Sequence, residues 1–139
     1  MKVLRMSSYE VRAIRFIQQI FSYIADCHTV GNYWDAVQAF NLDHHRKVMC
    51  DNGMTRVALI TSDYVVKIDY HAENIERWGG GEQEVKFYQM ASSEGYGYLF
   101  AKITPYYYKG HTFYIMPRVH GIGRKFDDAD TYMTEEESD

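Results

Sequence analysis

Cysteine, proline and long apolar runs are scarce in this chain of 139 residues, and each scarcity excludes something. Cys27 and Cys50 are too few for a disulfide framework, and reduced thiols are the expected state. No C-x-x-C pair accompanies them, so a structural zinc site has no anchor; Asp43, His44 and His45 with Cys50 read as polar loop and helix-end residues, and no metal is expected. No apolar run approaches the ~20 residues of a membrane span. The start MKVLRMSS lacks the apolar core of a signal peptide, so the expected location is the cytoplasm.

Basic residues are absent from the last 13 positions, where seven of the 19 acids lie: Asp127, Asp128, Asp130, Glu135, Glu136, Glu137 and Asp139. The remainder holds 15 basic against 12 acidic residues, about +3, and no Lys/Arg cluster is expected. That is a weak field for nucleic acid, which is not expected as a partner. The expected organisation is one domain over residues 1–126 and an acidic tail over 127–139.

What the chain does have is tyrosine, 13 in all, and a marked strand pattern at residues 55–70, TRVALITSDYVVKIDY. A two-residue turn at Ser62–Asp63 sets a register in which Leu59 faces Val66, Val57 faces Ile68 and Thr61 faces Tyr64. This face is apolar and belongs to a core. The other face pairs Ile60 with Val65, Ala58 with Lys67, and Arg56 with Asp69 in an expected cross-strand ion pair. Lys67 thus stands mid-strand among apolar neighbours. Such a lysine is either a snorkelling edge residue or the anion-binding element of a site.

Around this hairpin the remaining elements follow from periodicity. Ser7 and Glu10 form a capping-box pattern ahead of a helix over 8–25, with Val11, Ile14, Ile17, Phe21 and Ile24 as its apolar stripe. Asn32 is placed to cap a short helix carrying Trp34, Val37 and Phe40 on one face. Residues 41–48 read as loop, and Asp51-Asn52-Gly53 as a turn. After the glycines 79–81, a helix over 82–91 turns Val85, Tyr88, Phe87 and Ala91 inward. A second hairpin, 99–107 with 111–119, crosses at Lys109–Gly110, and Pro105 marks an edge or bulge. The expected fold class is α+β: N-terminal helices plus a mainly antiparallel sheet with one packed helix.

These pieces resemble the small lobe of the protein kinase-like fold over roughly residues 48–119, and most closely the short, divergent kinase-like proteins encoded by bacteriophages. Tyr64-Val65-Val66-Lys67-Ile68 looks like the strand whose lysine orients nucleotide phosphates. Glu84 (or Glu82) stands where the family's helix glutamate holds that lysine, and Phe113-Tyr114-Ile115-Met116-Pro117-Arg118-Val119 looks like the strand entering the hinge. The resemblance implies a vestigial nucleotide site at Ala58, Lys67, Glu84 and Met116.

Departures from the family weigh on function. Only Gly53 stands immediately before the first strand of residues 55–70, where the family has a glycine-rich phosphate loop. No histidine–arginine–aspartate or aspartate–phenylalanine–glycine motif follows the hinge, so phosphoryl transfer by this polypeptide alone is not expected. Thr134-Glu135-Glu136-Glu137 is a second capping-box pattern, read either as the opening of a large-lobe helix in a longer protein or as an accident of an acidic tail.

The expectation is therefore a non-catalytic, phage-type protein that binds and inhibits or redirects a host protein complex (defence, nuclease or transcription machinery), using no cofactor. Its expected contacts are Tyr106, Tyr107, Tyr108 and His111 at the hairpin tip, with Asp127, Asp128, Glu135, Glu136 and Glu137 in the tail. The alternative is a nucleotide-binding lobe of a larger kinase, using ATP and magnesium.

Overall fold

A computed structural model of the chain describes residues 6–53, 55–70, 80–95 and 102–118. Helices α1 (Ser8–Ile24) and α2 (Val30–His44) precede strands β1 (Met49–Asn52), β2 (Arg56–Ile60) and β3 (Tyr64–Asp69). Helix α3 (Gly81–Ser93) follows, then β4 (Thr104–Tyr108) and β5 (His111–Pro117). The five strands form one antiparallel sheet in the order β1-β2-β3-β5-β4, so the fold is α+β.

The β2–β3 register is the expected one, from Arg56 opposite Asp69 through Ala58 opposite Lys67 to Ile60 opposite Val65. Thr61 closes the turn by donating its N–H to the Tyr64 carbonyl at 3.0 Å. Alternation then sends Val57, Leu59, Tyr64, Val66 and Ile68 into the core, where Phe113 and Ile115 of β5 join them. Helices α1 and α2 cover this face.

Helix α1 presents Ala13, Phe16, Ile17, Ile20 and Ile24 to the sheet. That corrects the expected stripe: Val11 is exposed, and Ile14 and Phe21 are half-buried. Two overlapping sets of helical spacing exist in the sequence, and sheet packing selects the one holding Phe16. Helix α2 starts earlier than expected, capped by Thr29, whose Oγ1 accepts the Asn32 N–H at 3.1 Å. It buries Tyr33, Val37 and Phe40, leaving Trp34 exposed. It also runs through the expected loop to His44, which stacks on Phe40 at 4.4 Å, while His45 takes the left-handed cap conformation at φ 53°. Asp51 and Asn52, read as a turn, belong to β1, with the bend at Gly53.

In the second hairpin, Lys109 and Gly110 both take positive φ, 48° and 82°. This mirror-image turn matches strand twist, which is why glycine stands at its second position. Pro105 lies on β4, an edge strand, where a missing donor disturbs no central ladder. The expected tail residues Asp127, Asp128, Glu135, Glu136 and Glu137 lie outside the described residues. Among the described residues, no helix is long and apolar enough to cross a membrane.

Candidate functional site

The sheet face opposite α1 and α2 carries Arg56, Ala58, Lys67, Asp69, Tyr114 and Met116, because all occupy the alternate positions of β2, β3 and β5. Helix α3 packs across this face. Its Val85 forms a small buried cluster with Ile103 and Tyr114, against which Met116 rests. Phe87, expected inward, is 57% exposed, since Val85 and Gly81 already fill the contact.

Two devices fix α3 on the sheet. Asp69, at the end of β3, accepts the Gly81 N–H with both carboxylate oxygens at 3.1 and 3.2 Å, satisfying a donor at the helix N-terminus. Gly81 is required by a close approach: a Cβ there would stand 2.2–2.4 Å from three atoms of the Tyr114 ring. Burial raises the Asp69 pKa, opposed by the Gly81 hydrogen bond and by Arg56. Burial pushes Tyr114 up to about 12, with Asp69 and Glu82 adding to it.

Seated this way, α3 turns Glu84 toward the sheet and leaves Glu82 exposed. Glu84 pairs with Arg56 through Oε1, and its Oε2 lies 4.0 Å from the Lys67 ammonium. The expected Arg56–Asp69 ion pair is thereby corrected: Arg56 goes to the helix acid, and Asp69 to the helix N-terminus. Burial lowers the Lys67 pKa, Glu84 pulls it back up, and Arg56 lowers it further. The result is one carboxylate between two cations on a half-buried surface.

Beside Lys67 lies an open cleft of about 230 Å³, walled by the β1–β2 bend (Asp51 to Gly53, Thr55) and floored by Ala58 and Lys67. Met116 stands opposite Val65, two residues along from Lys67 and its neighbour Tyr114. Of the expected set, Ala58 and Lys67 line this cleft; Glu84 reaches Lys67 from α3, and Met116, on the same sheet face, is not among the lining residues. An anion entering the cleft meets the Lys67 ammonium, oriented by Glu84, with Arg56 adjacent.

The hairpin tyrosines are divided by strand alternation. Tyr106 and Tyr108 pack toward α1, with Gln18 donating to the Tyr106 hydroxyl at 3.1 Å and Phe21 meeting Tyr108 edge-on at 5.1 Å. Tyr107 alone of the three points to the other face, 72% exposed. His111 is exposed, its ring 5.2 Å from Phe21.

Sequence reasoning missed the double duty of Glu84 and the capping role of Asp69. The register itself carried the first signal, since it sets Arg56 and Lys67 two residues apart on one face. Comparison of the chain with protein-family models, curated proteins and solved structures found no match.

Proposed function

We propose that this chain is a kinase small-lobe-like domain whose Lys67 face binds nucleotide phosphates, without the aspartates that would let it transfer phosphate alone. The observation that carries this reading is Lys67 beside an open cleft with the following helix's carboxylate 4.0 Å away. The β4–β5 hairpin after that helix, ending at Met116 and Pro117, adds support. On this reading the protein is of bacteriophage type and acts in the bacterial cytoplasm. Calorimetry with ATP, with and without magnesium, on wild type and Lys67→Ala tests it. Expected is weak binding that Lys67→Ala reduces by roughly tenfold or more. Equal or null titrations for both proteins overturn it.

A second reading, a non-catalytic protein that captures a host protein, is favoured by three large exposed side chains. Phe87 and Met90 on α3 are 57% and 60% exposed, and Tyr107 on β4 is 72% exposed. Contact residues of this kind anchor protein interfaces. Pull-down from bacterial lysate with wild type and a Phe87→Ser/Met90→Ser variant checks it. A saturable partner lost in the variant supports the reading, and capture of nothing, or capture unaffected by the substitutions, sinks it.

A further inference from the structure

The expected absence of a Lys/Arg cluster is corrected by the fold, which assembles a cationic cleft from residues far apart in the sequence. Arg12 and Arg15 project from α1, and Arg46 and Lys47 follow the end of α2; all four converge on the β2–β3 turn. A cleft of about 370 Å³ lies between them, lined by the three arginines, Gln19 and the turn residues Thr61 to Tyr64. A second, of about 180 Å³, adjoins it, with Arg46 as the shared wall and Lys47 beyond.

The charges here are unevenly partnered. Among the described residues Asp63 is the only carboxylate lining either cleft, and it is held by Arg12, whose Nε donates to it at 2.8 Å. Arg15, Arg46 and Lys47 make no ion pair among the described residues. Arg46 is also held in place: its guanidinium lies over the rings of Phe16 at 5.5 Å and Phe40 at 5.8 Å. A guanidinium fixed by stacking presents its donor fork without further loss of freedom. Neighbouring cations that repel one another in the free protein gain most from a compact multivalent anion.

We propose that this cleft binds a phosphomonoester dianion, with Arg15 and Arg46 as its direct ligands and Lys47 as a flanking charge. Three acceptor oxygens and a charge near −2 match two guanidinium forks and an ammonium. The cleft shares no residue with the Lys67 cleft, so the proposal stands apart from the nucleotide reading. The phosphomonoester belongs either to a free small molecule or to a phosphorylated side chain of a partner.

Titration of the full chain with phenyl phosphate, followed by amide NMR shifts, tests the site. Expected is saturable binding with shifts at the β2–β3 turn, weakened roughly tenfold by Arg15→Gln and by Arg46→Gln and unchanged in Lys67→Ala. Arg15 is exposed, so its variant decides the matter even if the stacked Arg46 proves necessary for folding. A phosphotyrosine peptide that binds much more tightly than phenyl phosphate, while its unphosphorylated form does not bind, supports the site and assigns it to a protein-borne phosphate. Equal affinities support it and assign a free ligand. Absence of saturable binding, or binding lost in Lys67→Ala and kept in Arg15→Gln, overturns the proposal.

Discussion

Glu84→Gln is the perturbation that tests the Lys67 face most directly, because it removes one charge while keeping the shape. At the 4.0 Å separating Lys67 from Glu84, opposite unit charges attract by roughly 4 kcal/mol at an effective dielectric of 20 and about 1 kcal/mol in water. The Lys67 side chain is 26% exposed and that of Glu84 36%, so solvent screening draws the contribution toward the lower figure. With Arg56 losing its partner as well, the expected loss at neutral pH is about 1–2 kcal/mol in urea melts. The protonation of Lys67 supplies a signed test. Its pKa is already below the usual 10.5, chiefly through burial, with Glu84 raising it and Arg56 lowering it. Below the folded pKa both states carry the proton, and the folded state bears the cost of a desolvated ammonium. As pH climbs from that value toward 10.5 the folded protein releases its proton first, so stability rises across the window. Glu84→Gln lowers the Lys67 pKa further and opens the window at lower pH; Arg56→Gln raises it and narrows the window. NMR titration of the Lys67 side chain in the three proteins reads both directions. Identical titrations, or two variants moving the same way, refute the shared-carboxylate arrangement.

Other consequences concern the scaffold. Gly81→Ala drives a methyl group into the Tyr114 ring and is expected to cost about 1–3 kcal/mol of stability. Adding Tyr114→Leu should recover part of the loss, and an additive double-mutant cycle would show that the two residues do not meet. Glu10, 1% exposed, receives the Ser7 N–H and hydroxyl at 2.9 Å, the Thr104 hydroxyl, and the Lys102 ammonium at 3.5 Å. Burial works to raise its pKa, but the bonds from Thr104 and Ser7 and the charge of Lys102 outweigh it and hold the carboxyl below 4.5. The stabilisation is therefore present above pH 4.5 and lost as pH falls through the lower folded value. Glu10→Gln should cost roughly 1–3 kcal/mol at neutral pH and flatten the acid limb of stability against pH; parallel limbs in urea melts would contradict this.

Local chemistry made the hairpins legible. Alternation at residues 55–70 and the short Ser62–Asp63 turn determine one register, since a slip of a single residue would turn Val57, Leu59, Val66 and Ile68 to the outside. The Lys109–Gly110 turn and the edge position of Pro105 follow from backbone constraints of the same short range. Apolar spacing in helix α1 was ambiguous, because Ile17 and Ile24 belong to both candidate stripes. Only the sheet beneath it decides for Ala13, Phe16 and Ile20.

Nearest-neighbour sterics and side-chain alternation are enough to pair β2 with β3 as a hairpin and to set Lys67 opposite Ala58 on the less apolar face, and both are written in the order of residues alone. Which acid meets which cation was settled by tertiary structure. Asp69 is drawn to the unpaired N–H at the start of α3, and this anchoring swings Glu84 to Arg56 and Lys67. The cluster of Arg12, Arg15, Arg46 and Lys47 likewise exists only once α1 and α2 close over the sheet. Charges dozens of residues apart are independent in an extended chain and become neighbours through packing alone.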